Sequence, residues 1–102
     1  MKKRLMAMAA AALLLLWGGS ALAGWELLPG EARDIGVGAD GSVWVIGDDQ
    51  AKGGFGIHRW NGKAWERTDG AALRIAVGPK GEAWVVNDQK QIFRRAGQGW
   101  EL

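Results

Sequence analysis

The strongest constraint on this chain is that it contains the same stretch twice. "WELLPGEARDIGVGADGSVWVIG" (25–47) and "WERTDGAALRIAVGPKGEAWVVN" (65–87) align at an offset of 40, with ten of 23 positions identical. The identities are Trp25/Trp65, Glu26/Glu66, Gly30/Gly70, Ala32/Ala72, Ile35/Ile75, Val37/Val77, Gly38/Gly78, Gly41/Gly81, Trp44/Trp84 and Val45/Val85. The offset then falls to 35. "GIHRWNGKAWE" (56–66) matches "QIFRRAGQGWE" (91–101) through Ile57/Ile92, Arg59/Arg94, Gly62/Gly97, Trp65/Trp100 and Glu66/Glu101. The five residues lost lie in "DDQAKGGF" (48–55), set against "DQK" (88–90). A length change between otherwise matched units predicts a surface loop. Repeats of this length belong to architectures whose single units cannot bury their own apolar surface.

Each unit reads as four short strands. "RDIGVG" and "LRIAVG" place Ile and Val at alternate positions, the period of a strand. "ADG" and "PKG" follow as turns, with Gly41 and Gly81 free to take positive φ. "SVWVIG" and "EAWVVN" are rich in β-branched and aromatic residues, and their continuous apolarity predicts burial on both faces. "FGIHRWN" and "QIFRR" form a third strand, and "NGK" a hairpin turn. "AWERT" and "GWEL" form the fourth. Four-stranded units at this spacing predict an all-β fold of two antiparallel β-propeller blades. The blade units run over 25–64 and 65–99. Propellers usually have at least about four blades, so two make an incomplete ring. Either the chain assembles with other copies into a ring, or it is a fragment of a larger propeller. "GWEL" at 24–27 and again at 99–102 gives three copies of the fourth strand against two sets of the other three. One copy is surplus.

Residues 1–23 read as a secretory signal peptide. Lys2, Lys3 and Arg4 form a basic start, Leu5–Trp17 an apolar run and Ala21-Leu22-Ala23 a small-x-small cleavage site. The apolar run is short for a membrane span, which takes about 20 residues. Cleavage after Ala23 predicts a secreted or periplasmic protein with no stable membrane anchor. The chain has 13 Lys+Arg and 11 Asp+Glu. Removing Lys2, Lys3 and Arg4 leaves 10 bases against 11 acids, net about −1. That balance argues against a nucleic-acid partner, which calls for clustered surplus cations. There is no cysteine and a single histidine, His58, so neither disulfides nor a dedicated metal site is expected to staple so small a core. No cofactor is implied.

The combination Trp25, Gly30, Ala32, Ile35, Val37, Gly38, Gly41, Trp44, Val45, then Gly56, Ile57, Arg59, Trp60, Asn61, Gly62 and Trp65 resembles the tectonin β-propeller repeat. The second unit repeats the pattern from Trp65 to Trp100. The resemblance implies secreted or cell-surface carbohydrate recognition, including lipopolysaccharide and methylated glycans. Known members usually have about six blades, within the range of ring propellers. Other small lectins with two blades per chain trimerise into rings, an analogy at the level of fold.

Catalysis is poorly supplied. Beyond the leader there is one Ser (Ser42), one Thr (Thr68), one His and no Tyr, so a Ser–His–Asp set would have to use Ser42 and His58. No enzyme is expected. Asp48 and Asp49 could hold Ca²⁺, but a solvated loop is the simpler reading. Repeated Trp25/Trp65/Trp100 and Trp44/Trp84 fit packing in every blade. Trp60 is the exception, because Arg95 takes its place in the second unit. His58 and Trp60 share one face of the third strand, as do Phe93 and Arg95, while Arg59 and Arg94 point the other way. Indole rings stack on sugars and arginine forks bind hydroxyls, carboxylates and phosphates. The candidate ligand-binding residues are therefore Trp60 for stacking, with Arg59, His58, Arg94 and Arg95 for polar contacts, in a pocket between blades. The bland alternative is that these arginines pair with carboxylates such as Asp34 or Glu66.

The function expected is non-catalytic, lectin-like glycan or lipopolysaccharide binding by a homo-oligomer that completes a propeller ring. The alternatives are a protein–protein interaction scaffold, with "DDQAKGG" as its variable contact, and a degenerate propeller fragment.

Overall fold

A computed structural model describes residues 24–102; the signal peptide expected at 1–23 lies outside the described residues. Eight strands form two sheets. β1 (Asp34–Val37), β2 (Val43–Ala51), β3 (Gly54–Trp60) and β4 (Trp65–Ala72) make the first. β5 (Arg74–Val77), β6 (Ala83–Val86), β7 (Ile92–Ala96) and β8 (Gly99–Glu101) make the second. Each sheet is an antiparallel meander in chain order, and neither closes into a barrel. No helix occurs among the described residues. These are two incomplete-ring propeller blades, as the repeat implies.

The turns follow the sequence. The β1–β2 turn is closed by Gly38 N donating to Ser42 O (2.8 Å), and its counterpart by Gly78 N donating to Glu82 O (2.8 Å). Gly41 and Gly81 take φ of 91° and 90°. Asn61 caps the β3–β4 connection: its side-chain oxygen accepts from Lys63 N (2.8 Å) and Ala64 N (2.9 Å). The expected loop at 48–55 is different. β2 runs on to Ala51 and β3 begins at Gly54, so the extra residues lengthen a paired hairpin across a register shift between Ile46 and Gln50. Extended backbone pairs its own N–H and C=O groups, which an open loop would leave to water.

The alternation of side chains gives each blade two faces. The register puts Trp44 opposite Arg59 and Arg59 opposite Glu66, with Ile46 opposite Ile57; these define the front. Ile35, Val45, His58 and Arg67 lie on the back, with Trp60 opposite Trp65 beside them. In blade 2 the front carries Ala76, Trp84, Arg94 and Glu101, and the back Ile75, Val85, Phe93, Arg95 and Trp100. The core is the front of blade 1 against the back of blade 2. Trp44, Ile46 and Ile57 pack with Ile75, Ala83 and Val85, flanked by Val77, Phe93 and Trp100. Close approach is permitted by Gly36, where a Cβ would stand 2.8 Å from Val77 Cγ2. The Asp34 carboxylate spans the same gap, accepting from Ile75 N (2.8 Å) and Arg74 Nε (3.2 Å).

The fourth-strand tryptophans pin each blade to the stretch of chain that precedes it, which for blade 2 is the end of β4. Trp65 Nε1 donates to Pro29 O and Trp100 Nε1 to Asp69 O, both at 2.8 Å. Gly30 and Gly70 lie under the indoles, where a Cβ would come within 3.3 and 3.2 Å of the ring. Trp25 departs from this pattern. The N-terminal GWEL joins neither four-stranded sheet, Trp25 is 84% exposed, and the core role expected for it fails. Within the sheets, only β8 realises the fourth-strand role expected of the two terminal copies.

Ile57 is 1% exposed at the centre of the blade–blade contact. Ile57→Ala is expected to lower unfolding free energy by about 2–5 kcal/mol in urea titration, the usual cost of such a core truncation. Burial pushes the Asp34 carboxyl up, but the Ile75 N–H, the Arg74 guanidinium and the Ile35 N–H together hold it below its ordinary value. Its stabilising effect is therefore present above the unfolded pKa, near about 4, and lost as pH falls through the lower folded value. Asp34→Asn should flatten the loss of stability on acidification below about pH 4.

Candidate functional site

The meeting of the two blades leaves an open cleft of about 710 Å³. Trp44, Arg59, Glu66 and Thr68 line it from blade 1, and Arg95 with Gly81 and Gln98 from blade 2. Pairing of β2, β3 and β4 sets Trp44, Arg59 and Glu66 in one row on the front of blade 1. Pairing of β7 with β8 sets Arg95 beside Trp100 on the back of blade 2. The two rows meet at Trp44. The Arg59 and Arg95 guanidinium carbons each lie 5.8 Å from the Trp44 ring centroid, within cation–π range. Trp100 meets Trp44 edge-on at 6.1 Å.

The electrostatics of the cleft are uneven. Arg95 Nη1 donates to Asp69 Oδ1 at 2.7 Å. Arg59 makes no ion pair among the described residues; its cross-strand neighbour Glu66 instead accepts from the Asn61 amide at 2.9 Å. Arg59 thus keeps a fork of donors for an oxygen-rich ligand. The Asp40 carboxylate reaches across the blade gap to the Cα side of Gly81. Its pKa is held down first by the Ser42 backbone N–H and then by the Ser42 side chain, with the Arg59 charge adding. Trp44 Nε1 is buried without a hydrogen-bond partner among the described residues. An indole N–H can only donate, and leaving one unpaired in the interior costs about 1–3 kcal/mol.

A second, more apolar groove of about 960 Å³ runs over the back of blade 1. Gly30, Ile35, Val45, His58 and Trp65 form its floor and walls. His58 Nε2 lies 3.1 Å from Asp49 Oδ1, and Arg67 Nε donates to Asp49 Oδ2 at 3.2 Å. Burial pushes the Asp49 carboxyl up, and the His58 hydrogen bond, its own backbone and the charges of His58 and Arg67 together bring it below its ordinary value. Asp48 is taken by Arg33 at 2.7 Å. The acidic pair is therefore spent on cations of the protein, and no group of three potential metal ligands gathers among the described residues. Ser42 lies in the β1–β2 turn and His58 on the back face with Asp49.

Of the five residues singled out from sequence, the fold brings Arg59 and Arg95 together in the inter-blade cleft. His58 lies in the apolar groove. Trp60 packs on Trp65, ring centroids 4.9 Å apart, on the back of blade 1. Arg94 stands on the front of blade 2, 5.7 Å from the Trp84 ring and paired with Glu101. Trp44, Thr68 and Asp69 complete the cleft, and sequence reasoning did not single them out for it. Trp44 reads as core and is core; that its ring also walls a cleft follows only from its register partner being Arg59.

The architecture is a pair of propeller blades whose neighbouring faces enclose a polar cleft. The sequence model of the Tectonin domain family matches residues 6–99, and the chain belongs to that family of lectin-like β-propeller repeat proteins. A comparison with curated proteins found no match.

Proposed function

We propose that this chain is an exported, non-catalytic glycan-binding protein that takes its ligand in the cleft between blades. The observation that carries this reading is the pair of guanidinium groups, Arg59 and Arg95, each 5.8 Å from the Trp44 ring centroid, with Arg59 free of an ion pair among the described residues. Two guanidinium groups, of which Arg95 is held by Asp69, and the Thr68 and Glu66 oxygens offer donors and acceptors in one cleft floored by the nearly buried Trp44 ring. Such mixed linings suit a sugar, and the two cations favour an acidic or phosphorylated one such as a lipopolysaccharide core. A cleft of this size lies within the usual range for small-ligand sites, about 300–1,000 Å³. The basic, apolar and small-x-small parts of residues 1–23 support export to the periplasm or medium.

A glycan array with purified lipopolysaccharide as a further probe tests this. Binding is expected, weighted to acidic or phosphorylated glycans and weakened by salt. Arg59→Ala should reduce affinity about ten- to a hundredfold, the equivalent of one charge-assisted hydrogen bond, with little change in stability. A folded protein that binds no glycan would overturn the proposal.

A further inference from the structure

Two faces of this molecule have lost the covering that their repeats enjoy. On the front, Trp44 is 4% exposed but its repeat Trp84 is 43%; Ile57 is 1% but Ile92 is 59%. On the back, Ile75 is 8% exposed but its repeat Ile35 is 58%. Val37, the repeat of half-buried Val77, is exposed as well. The exposed front of blade 2 and the exposed Ile35 and Val37 on the back of blade 1, beside a Val45 that is only 5% exposed, are thus the repeats of the two surfaces that form the core. One chain offers the first and a second copy offers the second.

The small residue and the opposite charges of the buried contact carry over, although Arg74 cannot accept the Ile35 N–H as Asp34 accepts that of Ile75. Gly36, which admits Val77, corresponds to Ala76, the next smallest residue, facing the repeat of Val77 at Val37. Asp34 and Arg74 are repeats of each other, and within the chain Asp34 bonds Arg74. A second copy docked in the same way sets Arg74 of one chain toward Asp34 of the next. The signs alternate from blade to blade, so opposite charges meet at each contact. Ile57 stands 3.8 Å from a Cβ position on Gly70, beside Trp100. Its repeat Ile92 would enter the apolar groove of the next chain, whose lining includes the repeats Gly30 and Trp65. The docked copy's β8, ending in GWEL, falls where the repeat would put Gly24–Leu27, the same four residues. A docked β8 would thus take the place that the repeat assigns to the N-terminal copy, which stands outside both four-stranded sheets.

We propose that copies of this chain associate head to tail, the front of blade 2 on the back of blade 1, into a closed ring, and that each junction creates a second inter-blade cleft. A ring of about 4–8 blades requires two to four chains. The new cleft sets Trp84, Arg94 and Glu101 of one chain, the repeats of Trp44, Arg59 and Glu66, against Trp60 of the next, the repeat of Arg95. It is the cleft in which an aromatic ring replaces the second guanidinium. The residues Trp60 and Arg94, apart within one chain, meet there. The ring carries two alternating sites: a doubly cationic one within each chain, and an aromatic–cationic one between chains. The interface stands on packing alone; ligand binding in the composite cleft rests on the glycan reading.

The test is the mass in solution, by analytical ultracentrifugation, of protein expressed from the full sequence and recovered after any processing. A discrete species of two, three or four chains is expected. Ile92→Glu spoils the front of blade 2 and Ile35→Glu the back of blade 1; both positions are exposed within the chain, so circular dichroism should show each variant folded. Each variant alone should be monomeric, and an equimolar mixture should form a one-to-one dimer through the two intact faces. A monomeric parent protein, or either variant keeping the parent's mass, overturns the interface. For the cleft, Trp60→Ala should retain the ring but lose about tenfold or more in affinity for one class of glycan sites. Unchanged binding by Trp60→Ala in an intact ring overturns the composite site. An intact ring that binds no glycan at all sinks the glycan reading and the site that rests on it, and leaves the interface standing.

Discussion

Everything described above depends on one contact, the front of blade 1 pressed on the back of blade 2. A four-stranded meander exposes apolar side chains on both faces and cannot bury either alone. Trp44, Ile46 and Ile57 become interior only because Ile75, Ala83 and Val85 lie against them. Gly36 lets the backbones approach, and Asp34 fastens the two inner strands by accepting from the next blade's N–H and guanidinium. The chain uses this arrangement once and retains both of its halves, unused, on its outer faces.

The cleft is a by-product of the same contact. Arg59 is placed by β3 and Arg95 by β7, and no backbone ladder joins the two sheets, although the Arg95 side chain itself crosses to Asp69 on β4. What brings both guanidinium groups to the Trp44 ring is the packing of one blade on the next. Cleft and packing are therefore not separate properties of this fold. A blade pair is the smallest unit that has such a cleft, and in the proposed assembly each further blade-on-blade contact adds one.

Much of this was legible in the residues. The offset repeat, the β-branched runs and the Gly-bearing turns gave the strands to within a few positions, and the period of two gave their faces. The faces shared by His58 with Trp60 and by Arg59 with Ile57 follow from that period and are the faces observed. What was not legible is which member of each repeated pair is buried. Trp44 and Trp84 sit in nearly the same local sequence; their tenfold difference in exposure comes from whether another blade lies against them. Position in the chain, not propensity, decides it. The same reason explains Trp25. Its sequence is that of a fourth strand, but a fourth strand needs a third to pair with and a glycine turn to cover, and among the described residues Trp25 has neither. The length change at 48–55 points to a loop, but extra residues can equally lengthen a hairpin whose backbone groups pair with each other, as they do here. Trp60 and Arg94 were grouped with Arg59 and Arg95 from one strand's pattern, whereas the fold distributes them to two different faces.

The central claim is that the contact inside the chain is repeated between chains, and the absence of native cysteine makes a direct measurement clean. The measurement is thiol cross-linking, with a short bis-maleimide, of a variant carrying both Ile35→Cys and Ile92→Cys, read on a denaturing gel. The account predicts a ladder of covalent dimers and larger species up to the closed ring, with each single-cysteine variant remaining uncrosslinked. Monomer alone from the double variant, or a dimer from either single variant, would contradict it, the latter by showing that like faces meet like.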